Sequence, residues 1–162
     1  MRQADVALRL APPQQPDLIQ RPLFDLKHGA FASPGYIEQY GMPNSLSDLE
    51  QHELIAYDET YHPPFTNVNW LLEAGLDLGM ERHPVLRVNN IYAMYRAAAS
   101  GMGIACLPDY MVGLTSGLLP VLPNLKGPIH KVFFVYPEEM RNSSRIAAFR
   151  DFLVQRIAED RD

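Results

Sequence analysis

Two rhythms of apolar and polar positions take turns along this chain: short runs that suit strands, and three-to-four-residue spacings that suit helices. Asp5 to Leu10 reads as a short buried strand, halted by Ala11-Pro12-Pro13 because proline cannot donate to a ladder. Leu18 to Phe24 and Gly29 to Ala32 are further extended runs. Ser33-Pro34 opens a helix: Ser caps free N–H groups and Pro suits the first helical position. Tyr36, Ile37 and Tyr40 share its face, and Gly41 with Pro43 ends it. Ser45, with Asp48 three residues on, has the form of a cap for a second short helix that buries Leu46 and Leu49. Glu53 to Tyr57 is a strand, and Asp58 to Thr66, polar and carrying Pro63 and Pro64, is a loop.

Val68 to Glu73, around Trp70, fits strand or helix, with strand the favoured expectation. Pro84 to Val88 is a strand. Ile91, Met94, Tyr95 and Ala98 then share one helical face, so Ile91 to Ser100 is an amphipathic helix capped by Asn89 or Asn90. Gly101 and Gly103 end it, Ile104 to Leu107 is a strand, and Pro108 begins a short helix through Tyr110 and Met111. Leu118 to Leu122 and His130 to Tyr136 are two more strands. A final helix, capped by Ser143 or Ser144, carries Ile146, Phe149, Leu153 and Ile157 on one face. Strands that alternate with helices through short loops imply an α/β layer fold with mainly parallel pairing.

Composition narrows the function classes. The chain has 162 residues, 47% of them apolar and 20% charged, enough for one compact unit or two small lobes. No apolar run is long enough to span a bilayer, and the charged start Met1-Arg2-Gln3-Ala4-Asp5 lacks the uninterrupted apolar stretch of a signal peptide. A cytoplasmic protein without a membrane partner is the expectation. The net charge of -5 argues against DNA binding by this chain itself, since phosphate contacts need clustered Lys and Arg. Residues 32–116 carry three basic against ten acidic side chains, while residues 1–31 and 117–162 each carry one more base than acid. That asymmetry predicts that residues 32–116 form a different lobe from the two ends.

Several motifs that carry chemistry elsewhere have plainer roles here. Gly101-Met102-Gly103 follows a helix and precedes a strand, the reverse of a dinucleotide loop, so it is a helix C-cap and turn and implies no nucleotide cofactor. The five histidines, His28, His52, His62, His83 and His130, show no metal-ligand spacing with one another or with the lone Cys106. No serine lies in a nucleophile elbow, and no carboxylate has a positioned partner, so nothing in the pattern favours an enzyme. Asn89-Asn90 differs. Two amides between a strand and a helix put side-chain donors and free backbone N–H groups at one helix N-terminus, which suits a carboxylate or other anion as well as plain capping.

Read in order, the segments resemble the effector-sensing domain of LysR-type transcriptional regulators. The resemblance rests on Ala4-Asp5-Val6-Ala7-Leu8-Arg9-Leu10, Ala32-Ser33-Pro34-Gly35-Tyr36-Ile37 with Gly41-Met42-Pro43, Leu46-Ser47-Asp48-Leu49 and His52, the central Trp70, and Leu86-Arg87-Val88-Asn89-Asn90. It continues through Ala97-Ala98-Ala99-Ser100-Gly101-Met102-Gly103-Ile104-Ala105-Cys106-Leu107-Pro108-Asp109, Leu118-Leu119-Pro120-Val121-Leu122-Pro123, Val135-Tyr136-Pro137 and Phe149-Arg150-Asp151-Phe152-Leu153. These pieces span almost the whole chain.

The resemblance implies a fold like the type 2 periplasmic binding proteins: two α/β lobes of mainly parallel sheet with flanking helices, and a small molecule in the cleft between them. Residues 1–31 and 117–162 would form the first lobe and residues 32–116 the second. The expected hinges are Ala30, Phe31 and Ala32, and Ser116, Gly117 and Leu118. The effector site would be lined by Leu10 and Ala11, by Ser33, by Asn89, Asn90 and Ile91, and by Gly103, Ile104 and Ala105. A homo-oligomer would transmit binding, and DNA would be reached only through a helix-turn-helix domain outside this chain. The family's opening strands of the first lobe are not found here, so an incomplete first lobe with uncovered apolar surface and self-association through it are further expectations. The mixture of amides and apolar groups suits a small organic acid or aromatic metabolite. A free-standing binding protein of the same fold, or a bare oligomerisation fragment, is the alternative.

Overall fold

The computed structural model describes residues 5–10, 15–112 and 117–159. The chain divides into two compact units, Lys27–Ile129 and the pair Met1–Leu26 with His130–Asp162.

In the Lys27–Ile129 unit the sheet is built from the end of β2 (Leu18–Ala32) with β3 (Leu54–Tyr57), β4 (Leu86–Val88), β5 (Ile104–Pro108) and β6 (Leu119–Val121). The spatial order is β6-β2-β5-β3-β4. Parallel pairing is confined to β4-β3-β5, where Tyr57 faces Val88 and Ile55 faces Ala105. β2 runs antiparallel to both its neighbours here, with Ala30 opposite Cys106 on one edge and Val121 on the other. The sheet is therefore mixed rather than mainly parallel. The two extended runs Leu18 to Phe24 and Gly29 to Ala32 form one continuous strand, because Asp25 to His28 carries no breaker.

Strand alternation divides the core between the two faces of this sheet. Ala30, Ala32, Leu54, Ala56, Ile104 and Cys106 point one way and pack with Tyr36, Leu49, Leu71 and Leu72. α1 (Pro34–Tyr40) supplies Tyr36; its cap Ser33 accepts the Tyr36 N–H at 3.2 Å, and Gly41, at φ 85°, ends it. Ile55, Ala105 and Leu107 point the other way. There α3 (Ile91–Ala99) lies over β3, β4 and β5 with Met94, Ala97 and Ala98 buried. Gly101, at φ 84°, turns the chain out of α3, and a Cβ on Gly103 would lie 2.4 Å from Glu53 O. The glycine pair is thus a turn and a close approach of two backbones, as its order in the sequence implied.

Two local expectations are corrected. The Trp70 segment is a short helix, α2 (Trp70–Glu73), not a strand. Its backbone bonds close locally, Trp70 N–H donating to Asn67 O at 3.2 Å and Leu72 N–H to Asn69 O at 2.9 Å, and Leu71 and Leu72 are both buried. In the turn before Ser47–Gln51, a 3₁₀ rather than α-helical segment, the Asp48 carboxylate does most of the capping and accepts N–H groups from Asn44 at 2.8 Å and Ser45 at 3.1 Å.

The second unit contains β1 (Ala7–Arg9), β7 (Ile129–Pro137) and the start of β2, in the order β1-β7-β2, with α4 (Ser144–Glu159) alongside. β1 pairs antiparallel with β7, Leu8 opposite Phe134. Phe134, Tyr136 and Ile146 form its core, with Val6, Ile19, Leu23, Met140 and Leu153 partly buried around them. The predicted face of α4 is only half used: Ile146 is buried, Leu153 and Ile157 are partly so, and Phe149 is 46% exposed.

Candidate functional site

Open α/β sheets bind ligands at the carboxyl ends of their parallel strands, where helix N-termini also collect. In the Lys27–Ile129 unit that end is formed by Tyr57 and Asp58 after β3 and by Asn89 and Asn90 after β4. The Asp58 N–H donates to Val88 O at 2.8 Å and holds the two strand ends together. Asn69 fixes Tyr57 from the side: its Oδ1 accepts the Tyr57 N–H at 2.8 Å and its Nδ2 donates to Tyr57 O at 2.9 Å.

Asn90 is the cap of α3. Its backbone is extended, and its Oδ1 accepts the Ala93 N–H at 2.7 Å. Its amide nitrogen donates to Asn89 Oδ1 at 3.3 Å, so the two side chains stand together on the surface. Ile91 and Tyr92, the first residues of the helix, have N–H groups that no preceding turn can satisfy, and the helix dipole leaves this end partially positive. The alternative left open in the sequence, capping by Asn89 or Asn90, resolves to Asn90. Asn89 is left as an exposed amide beside the helix end.

The remaining expected site residues lie elsewhere. Gly103, Ile104 and Ala105 open β5, level with the start of β3, whereas Asn89 follows the end of β4. Ile104 and Ala105 are fully buried. Ser33 belongs with this second group, its Oγ 3.5 Å from where a Cβ on Gly101 would stand. So the fold brings Ser33 to Gly103 at one end of the strands and Asn89, Asn90 and Ile91 to Tyr57 and Asp58 at the other. Leu10 directly follows β1 in the other unit, and Ala11 lies outside the described residues. Ala30, Phe31 and Ala32 are ladder residues of β2, Gly117 and Leu118 lead into β6, and Ser116 lies outside the described residues. Tyr57 and Asp58 escaped the sequence reading. Their signal, the last positions of a parallel strand, becomes visible only once β3 and β4 are known to pair.

Other titratable groups have structural partners. Tyr36 Oη accepts the Glu53 N–H at 2.8 Å and shares a 3.1 Å hydrogen bond with His52 Nδ1; burial holds its hydroxyl above the ordinary tyrosine range. His28 Nδ1 donates to Pro128 O at 3.1 Å, and its ring lies 4.4 Å from that of Phe65. Burial pushes the Cys106 thiol up to about 12, which leaves it protonated and unreactive at neutral pH. Among the described residues no group of three or more His, Cys, Asp or Glu is placed to hold a metal, and no helix is long and apolar enough to cross a membrane.

Residues 1–158 match the family model of the LysR substrate binding domain. An HTH-type transcriptional regulator of Xanthomonas campestris pv. campestris is 31% identical over 99% of this chain, and the regulator CrgA of Neisseria meningitidis is 28% identical over 98%. The chain spans about half the length of these curated relatives, 48% and 53% respectively. Among solved structures, the CrgA regulatory domain superposes with a TM-score of 0.75 at 26% identity, covering 94% of this chain and 74% of that one. The effector domain of AmpR from Pseudomonas aeruginosa, at 20% identity and a TM-score of 0.68 over 97% of this chain and 74% of its own, shares the fold. This chain therefore belongs to the LysR substrate binding domain family, with the periplasmic-binding-protein-like fold of the regulatory domains of LysR-type transcriptional regulators.

Proposed function

We propose that this chain is the effector-sensing part of a LysR-type regulator acting in the cytoplasm, and that it binds a small organic acid or aromatic carboxylate at the Asn89–Asn90 end of α3. The observation that supports this reading is the exposed amide pair at a helix N-terminus, set beside the carboxyl ends of β3 and β4. A carboxylate there would accept N–H bonds from the first turn of α3 and from the Asn89 amide, and would meet the positive end of the helix dipole. Binding would favour one arrangement of the protein over another. A homo-oligomer would pass that population shift to helix-turn-helix domains that contact DNA. The acidic middle of the chain fits this division of labour, since it repels phosphate rather than binding it.

A thermal-shift screen with small aliphatic and aromatic carboxylates tests the reading. A ligand specific to the folded state at a hundred times its Kd adds about 2.7 kcal/mol of stability. Asn89→Ala, which leaves the Asn90 cap intact, should weaken that ligand at least tenfold while leaving the unliganded Tm unchanged. A panel without a saturable stabiliser, or a stabiliser indifferent to Asn89→Ala, would overturn the assignment.

A further inference from the structure

On the face of the Lys27–Ile129 sheet opposite α3, two adjoining cavities of about 620 and 440 Å³ meet at Leu46 and Leu125. Each volume lies within the range of small-molecule sites, about 300–1,000 Å³. The larger one is walled by the loop after α1, which carries Met42 and Pro43, and by β6 and the loop after it, which carry Pro120 and then Leu122 and Pro123. The smaller one is lined by Trp70, by the carboxylates of Glu59 and Glu73, and by Lys126. The two form one groove with an apolar end and an acidic end.

Three features suggest a built site. The walls are pinned from beneath: the buried Arg82 guanidinium donates to Leu46 O at 3.1 Å and Ala74 O at 2.8 Å, both carbonyls of groove residues. Among the described residues, the two non-glycine positions with positive φ are Leu122 at 50° and Asn67 at 56°, and each lines one of the cavities. Asn adopts this backbone readily, but for Leu122 it persists only where surrounding structure enforces it, as happens at ligand clamps. The indole Nε1 of Trp70 is buried and finds no hydrogen-bond partner among the described residues.

The chemistry of the walls selects the ligand. Proline has no N–H, so Pro43, Pro120 and Pro123 remove backbone donors that an anion would need. At the other end two carboxylates outnumber one ammonium, and the Lys27–Ile129 unit carries ten acidic against five basic side chains. An indole face beside carboxylates favours a cation further. We propose that this groove is a second ligand site, taking an elongated apolar molecule with a cationic end: its body lies between Pro43, Leu122 and Pro123, and its charge beside Glu59, Glu73 and Trp70.

Trp70 is the chain's only tryptophan, so its fluorescence reports on the groove directly. Titrating the full chain with n-octylamine should change the emission saturably, and octanoate, with the same body and opposite charge, should bind at least tenfold more weakly. The double variant Glu59→Gln/Glu73→Gln, at two exposed side chains, should keep the wild-type circular dichroism spectrum, cost octylamine at least tenfold and abolish the preference. Asn89→Ala should leave the octylamine titration unchanged, which separates this site from the carboxylate site at α3. Absence of a saturable response to octylamine, equal binding of octanoate, or octylamine binding indifferent to the double variant would each overturn the proposal.

Discussion

The two compact units bury their apolar residues very differently. In Lys27–Ile129, both faces of the sheet are covered: α3 lies over one, and α1, α2 and the Leu46–Leu49 turn lie over the other, leaving Leu49, Leu54, Met94 and Ile104 at or below 1% exposed. In the unit formed by the chain ends, α4 is the longest helix described yet buries only Ile146. Phe149, Phe152 and Val154 stand 46–56% exposed, and Leu8 on the edge strand β1 is similarly open. Composition does not account for this, since both units are rich in large apolar side chains. The second unit has one layer fewer, and an amphipathic helix without a second surface keeps half its face in water. Rigidity should follow the same division, with the proposed Asn89–Asn90 site carried by the well-packed unit.

The largest effects should come from its interior. Leu49→Ala should cost about 2–5 kcal/mol, against less than about 1 kcal/mol for Phe152→Ala on α4; equal losses in urea denaturation would dissolve the contrast. Arg82→Ala, which strips Leu46, Leu71 and Ala74 of a carbonyl partner and Glu50 of its 2.9 Å ion pair, should cost about 3 kcal/mol. Arg82→Lys should recover only part of that, because an ammonium cannot reach carbonyls on both sides at once.

Gly103→Ala forces a Cβ to within 2.4 Å of Glu53 O, where β3 and α3's exit meet, and should cost about 2 kcal/mol. The pairing of Ile104 N–H with Glu53 O at 2.8 Å should loosen with it, visible as faster amide exchange at Ile104. In the other unit, Phe149→Ser with Phe152→Ser should change stability by less than about 1 kcal/mol but reduce self-association in light scattering, since these side chains offer apolar surface to a second copy. A wild-type chain that is monomeric at high concentration would remove that role from α4.

The smallest effects are on pH dependence. Tyr36 has its hydroxyl range raised by burial, so its contribution is fully present below the ordinary value of 10.0 and is lost as pH rises beyond it. Tyr36→Phe should therefore flatten the alkaline fall in stability. Asp48 is held below the ordinary 3.8, chiefly by the Asn44 N–H and then by Ser45, so its contribution is present above that value and fades as pH falls through the lowered range. Asp48→Asn should remove that slight acid sensitivity; an unchanged acid limb would count against the cap.

Much of this was legible in the sequence. Ser33-Pro34 with Gly41 bounded α1, the spacing of Ile91, Met94 and Ala98 placed α3, and the order helix, glycines, strand marked Gly101 and Gly103 as a turn. Such signals are local: a cap, a period or a turn is set by neighbours within a few residues. The Trp70 segment misled because four residues are too few to reveal a period, and two adjacent buried residues such as Leu71 and Leu72 suit a strand covered on both faces as well as a helical turn.

The amide pair at Asn89–Asn90 was likewise determined by sequence, since a strand, two asparagines and a helix make a polar helix start wherever they fold. What stands beside that start was not. Gly103 to Ala105 and Asn89 to Ile91 were expected to line one site, yet the register of β3 against β4 and β5 sets them at opposite ends of the strands. Register follows from which distant segments pair, and the groove's carboxylates, prolines and indole come from four separate stretches of chain. Local chemistry is written residue by residue. Neighbourhood across the sheet is decided only when the whole core closes, because long-range pairings compete through the total surface they bury rather than through any one residue's preference.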